Sequence, residues 1–198
     1  MKSIDWTSLT RYSKEFKPIR RYPLIYGNIK EFIAREALPN AKILDIGGAD
    51  KNMKKTMKNK ICVYKSFDID KRNTHDFYSI HKINGRYNIV LMIGILDHLE
   101  LSDVYTYLKK SYDVLDDNGL LFIQVSNVYH PTSQRHDPQH RTYLPGKNLY
   151  SLLKILGFKN ITIIRNGVHK NFKLPLKRIL SWALDIDYAP YLLIEAKK

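Results

Sequence analysis

Cysteine is nearly missing from the chain: one residue, Cys62, in 198. That excludes an internal disulfide framework and any zinc site built on several thiolates. Long hydrophobic runs are missing as well. No stretch of 18 apolar residues occurs, so the sequence offers no spanning helix. The polar stretch from Met1 to Arg21 lacks the apolar segment of a signal peptide. Nine glycines and eight prolines are too few for a low-complexity or collagen-like chain. Acidic residues are in deficit, 19 against 33 Lys and Arg, leaving a net charge of +14. What is abundant is apolar material, 44% of residues with 12% aromatic, enough for one substantial core at single-domain length. The expectation is a soluble cytoplasmic protein.

The positive surplus is spread along the chain, +8 over residues 1–60 and +6 over the rest. Its one concentration is Lys51, Lys54, Lys55, Lys58 and Lys60. The abundance of Lys, Ile, Asn and Tyr together fits AT-rich coding, so that cluster reads as a solvated face. A nucleic-acid partner is admitted by the charge but not favoured.

Apolar residues alternate between two rhythms. Ile25, Ile29, Phe32, Ile33 and Ala37 recur at helical spacing up to Pro39-Asn40. Ile43 to Ile46 is a short buried strand running into Gly47-Gly48. A short helix over Lys51–Lys58 and a strand over Val63–Phe67 follow, with Cys62 read as a buried, inert thiol at the strand's start. Ile89–Ile93 and Leu120–Val125 have the β-branched, continuous character of strands buried on both faces. Between them Ser102 caps a helix that Asp117-Asn118-Gly119 closes. Leu149, Leu152, Leu153 and Leu156 form a helical stripe ended by Gly157, and Ile161–Ile164 and Tyr191–Ala196 are the last strands. Strands separated by helices in this way predict an α/β, mostly parallel sheet with helices on both faces. Such a sheet binds its ligand at the carboxyl ends of the central strands, so chemistry belongs just after each strand.

Those positions are distinctive. After the first strand comes Leu44-Asp45-Ile46-Gly47-Gly48-Ala49-Asp50, an acid followed by glycines in the turn. The nicotinamide fingerprint G-x-G-x-x-G is absent. The second strand ends in Phe67-Asp68-Ile69-Asp70, where a carboxylate can accept both hydroxyls of a ribose, with Asp70 as the fallback. Asp76-Phe77 follows a third strand or turn, placed for an adenine amino group and ring face. The fourth strand leads to Gly94-Ile95-Leu96-Asp97-His98-Leu99.

Taken in order, these elements resemble the class I S-adenosylmethionine-dependent methyltransferases of the type 11 or type 23 branch. The matching pieces are Leu44-Asp45-Ile46-Gly47, Asp68, Asp76, Leu96-Asp97-His98-Leu99, Asn118-Gly119-Leu120, His140 and Gly157-Phe158. The resemblance implies a Rossmann-like, mostly parallel seven-stranded sheet whose last strand is antiparallel. It implies methyl transfer to an O or N atom of a small molecule or glycan, with S-adenosyl-L-methionine as cofactor. An RNA methyltransferase and a non-catalytic module of the same fold are the alternatives. It implies cofactor contacts from Asp45, Gly47, Gly48, Asp68, Asp76, Phe77, Gly94 and Ile95, and a largely structural role for His98. Residues 1–24 become an N-terminal cap segment and residues 25–198 the methyltransferase-like domain. Where the family carries further glycines this chain has Ala49 and Lys51, and Ala49 fits there with a negative φ. Asn88 and Asp97 replace the family's aspartate and glutamate.

A base acting at the methyl end should come from the loop after the fifth strand. That loop holds His130, His136 and His140 beside Asp137, and His140, then His136, are the catalytic candidates. Their spacing matches no dedicated metal motif, so no metal is expected. Gly94-Ile95-Leu96-Asp97 is unlike the Asn/Asp-Pro-Pro-aromatic stretch of adenine and cytosine amino methyltransferases. Two flanking features have open readings. Trp6, Tyr12, Phe16, Arg20, Arg21, Tyr22 and Tyr26 form either a cap over the cofactor or packing on the sheet edge. Leu174, Leu176, Ile179, Leu180 and Ala183, with Lys177, Arg178 and Trp182, form a basic amphipathic helix. It either touches a membrane, where it could receive a lipid-linked substrate, or packs between the last two strands.

Overall fold

Strand alternation sets the layers. In β1 (Lys42–Ile46), Leu44 and Ile46 point to one face of the sheet and Ile43 to the other. The computed structural model describes residues 6–57, 63–132, 137–168, 174–184 and 186–198. Within them the remaining strands are β2 (Val63–Phe67), β3 (Tyr87–Ile93), β4 (Leu115–Ser126), β5 (Lys159–Asn166) and β6 (Tyr191–Lys197). They join in one sheet of order β2-β1-β3-β4-β6-β5, parallel except for β6, which runs against both its neighbours. The last strand is antiparallel, as expected.

Leu44, Val90, Met92, Leu121 and Ile123 pack on one face under α4 (Leu101–Val114) and α5 (Gly146–Leu156). Ile43, Ile89, Leu91 and Phe122 pack on the other under α2 (Ile29–Glu36) and α3 (Asn52–Thr56), through Ile33 and Met53. The chain leaves β1 outward to β2 and returns on the other side to β3. The switch in winding, and the crevice it opens, therefore lie at the carboxyl ends of β1 and β3.

The sheet has six strands among the described residues, not seven. The expected third strand reduces to a single parallel bridge between Phe67 and Phe77. Residues 69–76 are almost wholly polar and offer no face to bury, and Asp70 holds them in a turn by accepting from the Arg72 amide. Helix boundaries also differ. α2 begins at Ile29 rather than Ile25, because Asn28 caps it by accepting from the Lys30 amide while the Ile25 amide donates to Arg165 in the sheet. α4 is preceded by Glu100, so Ser102 lies inside its first turn, and it stops at Val114. Leu115 is already paired with Tyr87, and Asp116–Gly119 form an irregularity in β4 before Leu120 resumes the ladder opposite Ile89. Cys62 lies outside the described residues.

Phe16 of the N-terminal aromatic set packs against α5, and the following chain reaches the sheet's open edge at Leu24. Phe16 contacts Tyr22 and Tyr150 of α5 at ring separations of 5.1 and 6.1 Å, α1 (Trp6–Ser13) packs along α5, and Leu24 bridges Arg165 on β5. The stripe of α6 (Leu174–Ala183) does not pack between the last strands: Leu176, Ile179 and Leu180 are exposed.

α5 ends as its sequence dictates. Gly157 sits at φ +99°, and its amide and that of Phe158 close onto the carbonyls of Lys154 and Leu153. A Cβ there would lie 3.0 Å from the Tyr112 hydroxyl. Gly157→Ala should cost about 1–2 kcal/mol of unfolding free energy, measured as a lower urea midpoint with an unchanged slope.

Candidate active site

The turn after β1 is fixed from below by β2. The amides of Gly47 and Gly48 both donate to the Phe67 carbonyl, at 2.9 and 3.1 Å. The Ala49 amide donates to Asp68 Oδ2 at 2.9 Å, while Asp68 Oδ1 accepts from the Asp70 amide. Gly47 stands at φ +81°, and a Cβ on it would lie 2.9 Å from Ile95. Only glycine meets both demands. Ala49, expected at negative φ, is at +37°, and Lys51 is at +55°. The Asp68 bond to the Ala49 amide and the Lys51 amide donating to the Gly48 carbonyl at 2.6 Å hold the backbone there, a conformation that costs about 1 kcal/mol for a residue with a Cβ.

Asp68 is half-buried at the tip of β2, beside Tyr107 of α4, whose phenol is raised in pKa by burial first and then by the charges of Asp103 and Asp68. The fallback Asp70 is paired with Arg72, and that hydrogen-bonded partner lowers its carboxyl to about 2. Asp76 Oδ2 accepts from the Ser66 amide at 2.9 Å, and Phe77 is drawn to the same tip through its carbonyl, which accepts from the Asp68 amide. His75, which the motif reading passed over, is buried with Nδ1 3.1 Å from Ser66 Oγ and Nε2 without a partner. Asp45 is 4% exposed and points away from Leu44 and Ile46, receiving the Tyr64 phenol. Burial, then the nearby charges of Asp68 and Asp50, lifts its carboxyl from the ordinary 3.8 to about 6 against the opposing pull of the Tyr64 hydrogen bond and Lys30.

The tips of β3 and β4 build the other half. Gly94 stands at φ +68°, and a Cβ on it would meet nothing within 4 Å. Asp97 is buried and accepts from the Ser126 amide through Oδ2 at 2.9 Å, while its carbonyl takes the amides of Arg141 and Thr142. The loop carrying His140 is thereby fastened over His98, and the two rings meet edge to face at 4.9 Å. The His140 side chain is 12% exposed; its Nδ1 is buried without a partner and its Nε2 is 3.9 Å from Asp137. Gly94, His98, Ser126, His140 and Tyr191 line a cavity of about 220 Å³ here. A broader hollow of about 690 Å³ lies across His98, lined by Ile69, Leu99, Asp103 and Tyr107. His136 lies outside the described residues.

Among the described residues, His98, Asp137 and His140 are the group that could hold a metal, their ligand atoms lying within 4.8 Å of one another. The 3.9 Å between Asp137 and His140 is wider than the roughly 3.3 Å between two ligands at usual zinc distances. The trio as it stands is a cluster of proton-accepting groups around the cavity. Of the expected adenosyl contacts, only Gly94 lines either cavity. The hollow has the volume of a small-molecule site, it begins at the residue after Asp68, and Gly94 leaves open space at the strand tip.

The sequence matches the model of a family described as "Methyltransferase domain" over residues 19–163. No curated protein matches it. Among solved structures, a SAM-dependent methyltransferase from Archaeoglobus fulgidus superposes with a TM-score of 0.69 at 16% identity, covering 98% of this chain and 100% of that one. The 1,6-didemethyltoxoflavin-N1-methyltransferase of Burkholderia thailandensis, bound to 1,6-didemethyltoxoflavin and S-adenosylhomocysteine, gives 0.58 at 17% identity over 86% of this chain and 77% of that one. The N-methyltransferase NodS of Bradyrhizobium japonicum gives 0.57 at 11% identity over 98% of both chains. At these identities the likeness is one of fold.

The Asp45 carboxyl gives a pH-dependent test. Above pH 6 it is ionised in folded and unfolded chains, and only the folded state bears the burial penalty. As pH falls through 6 the folded carboxyl takes up a proton that the unfolded one refuses until near 3.8, so the penalty is relieved across that window. Asp45→Asn should therefore be more stable than the parent by about 3 kcal/mol at pH 8. That gap should close toward pH 4 in urea titrations.

Proposed function

The chain belongs to the family of methyltransferase domains, and from that premise we propose that it transfers a methyl group from S-adenosylmethionine to an oxygen or nitrogen atom of a small molecule or glycan. The observation that carries the reading is a juxtaposition. A glycine turn clamped to Asp68 and a cavity holding His140 lie at neighbouring strand tips, with Gly94 and His98 between them. The S-adenosylhomocysteine and 1,6-didemethyltoxoflavin bound to the Burkholderia N1-methyltransferase support the cofactor and a small-molecule acceptor.

When bound, the cofactor supplies a methyl group already activated on a sulfonium. The chain's own work is to position and to exclude water. Asp68 keeps a free lone pair on each oxygen after binding the amides of Ala49 and Asp70, enough to accept two ribose hydroxyls. Asp76 and Phe77 offer an acceptor for an adenine amino group and a ring face beside it. Gly47, Gly48 and Ile95 form the floor under the turn, and Asp45 sits beneath it as the group that fixes Tyr64. His140, which lines the smaller cavity, can accept a proton from an acceptor hydroxyl or amine, with the Asp137 carboxylate near Nε2 steadying the imidazolium. His136 remains the second candidate for that role.

Asp68→Ala should weaken S-adenosylhomocysteine binding by about 1.5–3 kcal/mol in calorimetry; unchanged affinity removes Asp68 from the ribose. His140→Ala should spare that binding and slow methyl transfer by more than about tenfold, followed with radiolabelled cofactor on any acceptor the parent chain methylates. Loss of both together would make His140 structural. No heat of binding at millimolar S-adenosylhomocysteine would favour a module that keeps the fold without the activity. The +14 charge gives the RNA reading its own signature, affinity for RNA that falls steeply with salt.

A further inference from the structure

Twelve large apolar side chains stand exposed among the described residues, and five of them fall between residues 176 and 184. Leu176, Ile179 and Leu180 are 57%, 63% and 45% exposed, and with exposed Ala183 they recur at the spacing of one helix face. Trp182 (77%) and Leu184 (63%) extend the patch at the helix's end. A helix on a water-soluble domain turns such a stripe inward. α6 instead rests on buried Ser181 and presents the stripe outward.

The chemistry around the stripe is cationic. From residue 170 to 187 the sequence holds Lys170, Lys173, Lys177 and Arg178 against Asp185 and Asp187, within a chain of net charge +14. The nearest downstream carboxylate that is described, Asp187, is wholly buried and takes the Asn127 amide at 2.8 Å. Lys177 is exposed on the helix beside the stripe. Ten residues make about 15 Å of helix, half the depth of a bilayer core, so α6 is suited to lie in an interface rather than to cross one. It is also anchored rather than free. The Arg20 guanidinium donates to the carbonyls of Ser181 and Trp182, both at 3.2 Å. Beyond it, the Asp187 amide donates to the Tyr129 carbonyl.

We propose that α6 docks this protein on a membrane surface bearing anionic lipid headgroups. Leu176, Ile179, Leu180 and Trp182 enter the headgroup boundary, and Lys177 engages the lipid charges. This surface is separate from the cofactor and acceptor sites, so its test does not depend on them.

The full chain should be mixed with phosphatidylcholine vesicles with and without roughly 30 mol% phosphatidylglycerol and sedimented. Binding should be at least about tenfold stronger on the anionic vesicles and should weaken several-fold in about 0.5 M salt. The double variant Ile179→Glu with Trp182→Glu should lose at least about tenfold of that binding, and Lys177→Glu should lose a smaller part. Unchanged far-ultraviolet circular dichroism in both variants shows that the loss is not unfolding. Equal partitioning of parent and double variant, or a parent that stays in the supernatant with anionic vesicles, overturns the proposal. So does a parent that forms a dimer in sedimentation velocity, is made monomeric by the double substitution and ignores vesicles, which would assign the face to a second copy.

Discussion

Two amides on one carbonyl fix the geometry of this molecule. Gly47 and Gly48 both hang from the Phe67 oxygen, and Asp68, one residue on, reaches back to the Ala49 amide. This clamp ties the tip of β1 to the tip of β2 at the point where the sheet changes its winding direction. It demands a backbone at φ +81° with Ile95 pressed where a side chain would be, which is why the position tolerates only glycine. Unfavourable conformations at Ala49 and Lys51 follow from the same closure. The clamp also spends half the acceptor capacity of Asp68 on backbone amides.

Asp97 organises the opposite side by a similar device. A buried carboxylate would be costly on its own, but here it receives the Ser126 amide, and the same residue's carbonyl receives the amides of Arg141 and Thr142. The loop after β4 is thereby laced to the turn after β3, with Thr142 Oγ1 donating to the Leu99 carbonyl as a further stitch. His140 comes to lie against His98 as a consequence. A residue noted in the sequence only as a substitute for glutamate proves to be the fastening for the candidate base.

Much of the architecture was legible because it depends on local rules. Buried strands at Ile43–Ile46 and Ile89–Ile93 and the Gly157 stop follow from apolar period and turn chemistry, whereas the antiparallel final strand was implied by the family resemblance. The third strand was the clearest miss. Family order suggested it, yet the polar residues 69–76 had no apolar face to commit to a sheet. Asp45 was read with the other two aspartates as a contact to one ligand. Strand alternation turns it toward Tyr64, a partner that the pairing of Ile43 with Tyr64 and Asp45 with Ser66 brings diagonally across the ladder. Register of that kind leaves no trace in spacing.

The sequence alone determined the layered α/β order, the place of the glycine turn and which acids and histidines follow strand tips, because period, propensity and turn chemistry act over a few residues. Only the tertiary structure decided which of those groups face one another, that Asp97 would be a buried fastening and that the apolar side of α6 would be left outward. Those outcomes depend on contacts between segments far apart in the chain, where geometry and competition for burial, rather than local preference, set the result.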